Sequence, residues 1–254
     1  MGKSKICTLM YHDVYETSNQ DSGFNIDSNY PYKLHISSFK EQICAIATYI
    51  RKYNIDKNYV QLSFDDGGIS FYTIIMPILE EYGFKGYFYI ATKYIGQNGF
   101  LTEVMIKEMA ERGHYIGGHS HTHRQRMNDL SYEELKEDWS KCIEILSSII
   151  GKPCIIASLP NGFTSKTIIR VLKELGVKKL YTSEPSEGLQ ISEYMEIRGR
   201  YGIRNTMSLD VVLAIIFDKK YKQKIRRKKV LLNVAKKLMG RNYIRIREYI
   251  FRHK

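Results

Sequence analysis

Short β-rich runs alternate with longer segments of helical period from residue 5 to about 180, the pattern of an α/β fold on a mainly parallel sheet. Strands are predicted at 6–11, 59–64, 86–91, 115–118, 154–158, 179–182 and 195–201, with helices between them. The clearest helix begins at Ser131, whose hydroxyl can cap it while Glu134 closes a capping box. Leu135, Trp139, Cys142, Ile143 and Leu146 then share one face until Gly151 and Pro153 stop it. A second helix, 164–175, turns Ile168, Leu172 and Leu175 inward and ends at Gly176. A third, 70–82, contains Pro77, which predicts a kink or a late start. The polar stretch 16–32 reads as a long surface loop, of a length that often forms a binding rim.

In a parallel layout the residues at the C-terminal ends of strands converge on one mouth. Three predicted strands end in YHDV (11–14), SFDDGG (63–68) and GHSHTH (118–123), and SLPNG (158–162) follows a fourth. Neighbours on a strand point to opposite faces, so Asp65 and Asp66 reach one site only where the backbone turns, which Gly67 and Gly68 permit. Two carboxylates there suit a division of labour between a cation and a proton, although D-D-G-G is also an ordinary solvated turn. His119 and His123 are four apart, which on one helical turn sets both rings on one side, within reach of one ion. The competing reading of that segment is a His-rich surface loop. One carboxylate with two imidazoles leaves open positions on a divalent metal, as a catalytic site requires. His121 would face elsewhere, and His114 reads as structural.

Composition adds bounds rather than chemistry. The chain has 254 residues, 43% hydrophobic and 26% charged, enough for a sizeable core and unlike a disordered protein. No apolar run approaches the roughly 18 residues of a membrane span. The opening MGKSKICTLMY has no long apolar stretch, and Ile6 stands where a myristoylation signal wants Ser or Thr, so a cytosolic N-terminus is expected. Cys7, Cys44, Cys142 and Cys154 form no C-x-x-C pair and read as reduced core thiols. The net charge of +12 is lopsided: residues 219–254 carry 15 of the 39 Lys and Arg against one acid, Glu248, and the first 218 are near neutral. A body at 1–218 and a basic tail at 219–254 follow. In the tail, Leu231, Val234, Ala235 and Leu238 recur at helical spacing beside Lys228, Lys229, Lys236 and Lys237, and Tyr243, Ile246 and Ile250 resume the stripe after Gly240. A basic amphipathic segment of this kind predicts an anionic membrane surface as partner. Nucleic acid is the rival, but it has no need of regular apolar positions; the plainer alternative is an end helix packed on the body with a solvated face.

The order, spacing and strand-end context of SFDDGG (63–68), GGHSHTH (117–123) and SLPNGF (158–163) resemble the successive motifs of the polysaccharide deacetylase family, carbohydrate esterase family four. The resemblance covers roughly residues 5–205. It implies a distorted (β/α) barrel and metal-dependent removal of acetyl groups from sugars. By position it implies Asp65 as general base, Asp66, His119 and His123 as ligands of a divalent ion, Zn by preference, and the backbone N–H of Asn161 as an oxyanion donor. Ser120 takes a supporting role. The family's usual late His motif is missing, since 180–252 contain no histidine. LMYHDV (9–14) resembles the arrangement in which that motif is permuted to the N-terminus, which makes His12 the general acid. Ser158 stands where the third motif often has an Arg that orients the base. Either another group, such as Arg198, Arg200 or Arg204, holds the base or activity is altered. Those arginines read as surface or substrate-phosphate contacts and receive no catalytic role. Tyr11, Phe64, Tyr89 and Phe163 lie near strand ends and could pack on a sugar, though most such aromatics are core.

The function expected is a cytoplasmic, peripherally membrane-bound, metal-dependent deacetylase. Its substrate would be an N-acetylated sugar or lipid-linked glycan precursor in surface-polysaccharide or lipopolysaccharide assembly. The alternatives are a carbohydrate-binding pseudoenzyme of the same fold and an Fe(II) oxygenase, the latter disfavoured by Asp65 and SLPNG.

Overall fold

The computed structural model describes residues 6–124, 126–162, 164–192 and 194–239. Strands β1 (Cys7–Tyr11), β2 (Val14–Tyr15), β3 (Leu34–His35), β4 (Val60–Phe64), β5 (Gly86–Ile90), β6 (Tyr115–Gly118), β7 (Ile156–Ser158), β8 (Lys179–Tyr181), β9 (Leu189–Ser192), β10 (Met195–Arg198) and β11 (Tyr201–Gly202) alternate with helices. The helices are α1 (Ile36–Lys52), α2 (Met76–Glu81), α3 (Glu103–Glu111), α4 (Tyr132–Ile150), α5 (Lys166–Glu174), α6 (Leu209–Phe217) and α7 (Lys219–Met239). Nine strands form one sheet in the order β11-β1-β4-β5-β6-β7-β8-β10-β9. Every pairing in it is parallel except that of β9 with β10.

The chain itself shows that this sheet curls. β10 and β11 stand near opposite ends of the strand order, yet only Gly199 and Arg200 separate them. Three residue steps span at most about 11 Å, so the two ends must approach each other. That is the distorted (β/α) barrel. Gly199 is needed at the crossing, because a Cβ there would sit 2.1 Å from the Glu184 carbonyl oxygen.

Strand alternation divides the sheet into two faces. Tyr11, Phe64 and Phe88 are register neighbours that stack at 5.6 and 5.0 Å. With Phe39 of α1 and Phe71 they form fully buried core outside the barrel. The stagger of one residue puts Ser63 on the inner face, where it meets the site described below.

Helix punctuation follows the sequence closely. Ser131 and Glu134 form the capping box of α4, and Gly151 ends it at φ 67°. Pro77 falls in the first turn of α2, and the chain reaches it through a π-helical segment, Phe71–Ile75, so the proline delays the α-helix as expected. One cysteine departs from expectation. Cys7, Cys142 and Cys154 are buried, but Cys44 on α1 is exposed.

α7 starts with a buried anchor. Lys222 donates from Nζ to Glu187 Oε1 at 2.6 Å, to the Tyr59 hydroxyl at 2.7 Å and to the Ile216 carbonyl at 2.8 Å. Val230 and Leu231 beyond it are exposed. The side chains of Val234, Ala235 and Leu238 and the whole stripe of Tyr243, Ile246 and Ile250 lie outside the described residues, as does Phe163. No described helix is long and apolar enough to cross a membrane.

Candidate active site

The C-terminal ends of β1, β4, β6 and β7 open on one cavity of about 480 Å³. His12, Asp65, Asp66, His119, His123 and Asn161 all line it. All six residues selected from sequence therefore share one site.

Asp65 and Asp66 are both buried, and they are held differently. Asp66 adopts φ 93° and Gly67 φ 94°, a left-handed turn that swings the second carboxylate round to the mouth. For a non-glycine residue that conformation is strained, a cost tolerated where function requires it. Gly68 serves another purpose: a Cβ there would lie 1.9 Å from Asp13 Oδ1. Asp13 Oδ1 also accepts from Ser22 Oγ at 2.6 Å and from Ser70 Oγ at 2.9 Å, which ties the 16–32 loop to the strand ends. The buried Lys33 organises that loop from beneath, donating to the carbonyls of Asn19 and Ser22 and to Asn25 Oδ1.

His119 and His123 do converge, but not on a helical turn. Residues 119–124 form an irregular loop in which Ser120 and His123 have φ of 62° and 51°. These two left-handed steps replace the helix and still leave the rings 5.1 Å apart. Ser120, fully buried, accepts from the His123 N–H at 3.0 Å. Asp138 of α4 holds the middle of the loop: its two oxygens accept from the backbone N–H groups of His121 and Thr122 at 3.0 Å each. His121 bonds Thr92 Oγ1 through Nδ1, outside the cluster, and His114 bonds Gly86 N–H and Glu80, as a structural histidine would.

Ligand atoms of Asp66, His119 and His123 lie within 4.8 Å of one another. Asp66 Oδ1 is 3.1 Å from His123 Nε2 and 3.5 Å from His119 Nε2. His119 Nδ1 meets the Ser158 carbonyl at 2.9 Å. A carbonyl only accepts, so Nδ1 carries the hydrogen and Nε2 presents a lone pair to the cluster. Asn29 Nδ2 donates to the other oxygen of Asp66 at 3.2 Å, and Phe24 stacks on His123 at 4.8 Å. Two imidazoles and a carboxylate, with His119 fixed through Nδ1 and Asp66 through its second oxygen, fit a divalent ion with open positions.

Asp65 is oriented by an arginine from the crossing between β10 and β11. Arg200 is fully buried. It donates through Nη1 to Asp65 Oδ1 at 2.6 Å and through Nη2 to Asp65 Oδ2 at 2.7 Å. Its remaining hydrogen bonds go to Ser63 Oγ, Ser158 Oγ and the Thr182 carbonyl. The surface reading of the late arginines is thus wrong for Arg200. Ser158, in the place of the expected motif arginine, is short enough to admit it, and itself donates to Asp65 Oδ2 at 3.2 Å. Nothing local in the sequence separates this buried Arg from Arg198 or Arg204.

Charges follow this geometry. Burial pushes the Asp65 carboxyl up, but Arg200, His119 and His12 outweigh it and hold it below the ordinary carboxylate value. Burial likewise opposes ionisation of Asp66, and His123 and His119 hold it well below that value. The His123 imidazole is raised, since Asp66 and Asp65 more than offset its burial. Both carboxyls are ionised at neutral pH, as a base and a ligand must be.

The remaining wall joins His12 and Asn161 to residues that the sequence did not single out. His12 approaches the Tyr32 ring at 4.8 Å, and its buried Nδ1 has no hydrogen-bond partner among the described residues. Asn161 sits at φ 55° between Pro160 and Gly162 across the cavity. Of the aromatics proposed to meet a sugar, Tyr11, Phe64 and Tyr89 are fully buried core. Tyr32, from the predicted rim loop, lines the cavity in their stead. Asp138 had a legible signal, a lone carboxylate among the apolar positions Leu135, Trp139 and Cys142.

Known proteins resemble this chain in sequence and in fold. YxkH of Bacillus subtilis is 28% identical over 126 residues, 50% of this chain and 45% of that one. The peptidoglycan-N-acetylmuramic acid deacetylase PdaA of the same organism is 24% identical over 132 residues, 51% of this chain and 48% of that one. The chain thus spans about half the length of these relatives. The deacetylase PplD of Streptococcus pyogenes superposes with a TM-score of 0.67 at 21% identity, over 84% of this chain and 98% of that one, and so shares the fold. A family model, polysaccharide deacetylase, matches residues 52–180, which contain both aspartates, both histidines and Asn161. By that match across half its length, the chain belongs to the polysaccharide deacetylase family.

Proposed function

We propose that the protein is a metal-dependent hydrolase that removes the N-acetyl group from an amino sugar during assembly of a surface polysaccharide or lipopolysaccharide. The observation that carries this reading is the side-by-side placement of a three-donor cation site and a separately oriented carboxylate in one cavity. A divalent ion, best matched to Zn by two imidazoles and one carboxylate, would supply Lewis acidity to the acetyl carbonyl and acidify water. Asp66, His119 and His123 would hold it. Asp65, ionised and fixed by Arg200 and Ser158, takes the proton from the attacking water. The Asn161 N–H faces the oxygen on which charge develops. His12, protonated, gives its proton to the departing amine.

The pseudoenzyme alternative rested on the absent motif arginine, and Arg200 now supplies that contact. The substrate we favour is a precursor met on the cytoplasmic side, carried on lipid at the inner face of the membrane. Support comes from α7, where exposed Val230 and Leu231 adjoin Arg226 and Arg227 in a basic helix. Flotation with anionic and neutral vesicles tests the membrane part, and equal binding to both would end it.

Calorimetric titration of chelator-stripped protein with Zn2+ tests the centre. One tight site is expected, lost in the His119→Ala, His123→Ala double variant. Asp65→Asn should keep the site and lose acetate release from N-acetylated oligosaccharides; full turnover in that variant would remove Asp65 as the base.

A further inference from the structure

The acids of the cavity are matched from within: Asp65 pairs with Arg200, and Asp66 with the two imidazoles. One cation of the wall is not matched. Arg204, two residues past β11, is the single Lys or Arg lining the cavity among the described residues, and it pairs with no carboxylate there. Its guanidinium lies 5.2 Å from the centroid of the Tyr32 ring, and Nη2 donates to the Tyr32 hydroxyl at 3.1 Å. Tyr32 is in turn the neighbour of His12.

Such an arginine is partly ordered before anything binds. Stacking on the ring fixes the plane of the fork, and the hydroxyl occupies one of its several N–H donors. The rest of the fork has no protein partner among the described residues. A planar fork of this kind matches the two oxygens of a carboxylate or phosphate, and holding it in place lowers the entropy lost on binding. Neutral sugar hydroxyls offer no such pairing and leave the charge uncompensated.

We infer that Arg204, held on Tyr32, forms a subsite for an anionic substituent, carboxylate or phosphate, on the N-acetylated glycan. This rests on the hydrolase reading above and adds a substrate class to it: acidic amino-sugar glycans are preferred to neutral ones of the same size. The anion sits on the Tyr32 side of the cavity, where the rim loop and the segment after β11 meet. That contact is visible in Asn205 Nδ2 donating to the Tyr30 carbonyl at 2.9 Å.

The test is a pair of matched ligands titrated calorimetrically into Zn-loaded full-length protein. N-acetylmuramic acid is compared with its amide, and N-acetylglucosamine 1-phosphate with N-acetylglucosamine. At least one acid is expected to bind about tenfold more tightly than its neutral partner, and the phosphate and carboxylate arms tell which anion is meant. Arg204→Gln should bring that ratio to about one, and Arg204→Lys should keep part of it. Ratios near one in the wild type, ratios unchanged in Arg204→Gln, or failure of both acids to bind would each overturn the subsite. Acetate release from the two acids as well as from uncharged chitotetraose is measured alongside. No release with an intact acid preference would end the hydrolase reading alone, and release without a preference would end the subsite alone.

Discussion

Replacing Arg200 by Met removes the guanidinium that clamps Asp65 while keeping an unbranched side chain in the barrel. Both partners are buried, with side-chain exposures of 0% and 4%, so solvent screening gives little relief. Taking one partner from a buried pair costs about 3–5 kcal/mol, because the other charge is left unpaired. The pH dependence identifies that origin. In the wild type the folded carboxyl lies below its unfolded value, so the pair contributes stability that is present above about pH 4 and lost as pH falls through the lower folded value. In the variant, burial is no longer outweighed and the folded carboxyl rises above its unfolded value. The deficit is then full at neutral pH and shrinks on acidification, as Asp65 takes a proton. Urea unfolding of metal-stripped wild type and variant at about pH 7.5 and about pH 5.5 measures this. A gap of about 3–5 kcal/mol is expected at the higher pH, smaller by about 0.5 kcal/mol at the lower. A gap equal at both pH values, or below about 1 kcal/mol throughout, would refute the reasoning. Acetate release provides a second readout, since the acidic limb of kcat/KM should move up by about 2 pH units.

Asp138→Ala frees the backbone between His119 and His123 and should weaken Zn2+ binding about 10–100-fold by chelator competition, with unchanged affinity counting against the role. Gly68→Ala drives a Cβ into Asp13, whose oxygens are already engaged, and should cost about 1–3 kcal/mol; a melting temperature within about 1 °C of wild type would show that the loop yields. Lys222→Met leaves Glu187 without its cation and should cost about 3 kcal/mol, with faster tryptic cleavage inside α7; an unchanged digestion rate would show that α7 is held elsewhere.

The barrel was legible because period-two and period-3.6 segments alternate with clear stops, and Ser131, Gly151 and Pro77 act where their local chemistry says. The strand-end motifs were legible for the same reason: a parallel sheet turns position along the chain into position around one mouth. The helical turn expected at His119–His123 is replaced by two left-handed steps, stabilised by Ser120 within the loop and by Asp138 from α4, a partner that local periodicity does not reveal. Arg200 was invisible because whether an arginine is buried depends on where the sheet closes, a property of all nine strands together. Tyr32 and Asn29 were hidden for a related reason, since a loop without periodicity carries no sign of which side chains point inward. The hairpin strand β9 went unnoticed because its burial is weak and its pattern short.

The crossing from β10 to β11 also has a consequence for biosynthesis. A growing chain emerges from its N-terminus, so His12, both aspartates, both histidines and Asn161 are made before Arg200. Until more than three quarters of the chain has been made, β1 lacks its partner β11 and the Asp65 carboxylate lacks its cation. A fragment released early would own a cation-binding loop and an unclamped acid. The buried ion pair at Asp65 is thus completed only when the sheet closes, so the site takes its final electrostatic form late in synthesis.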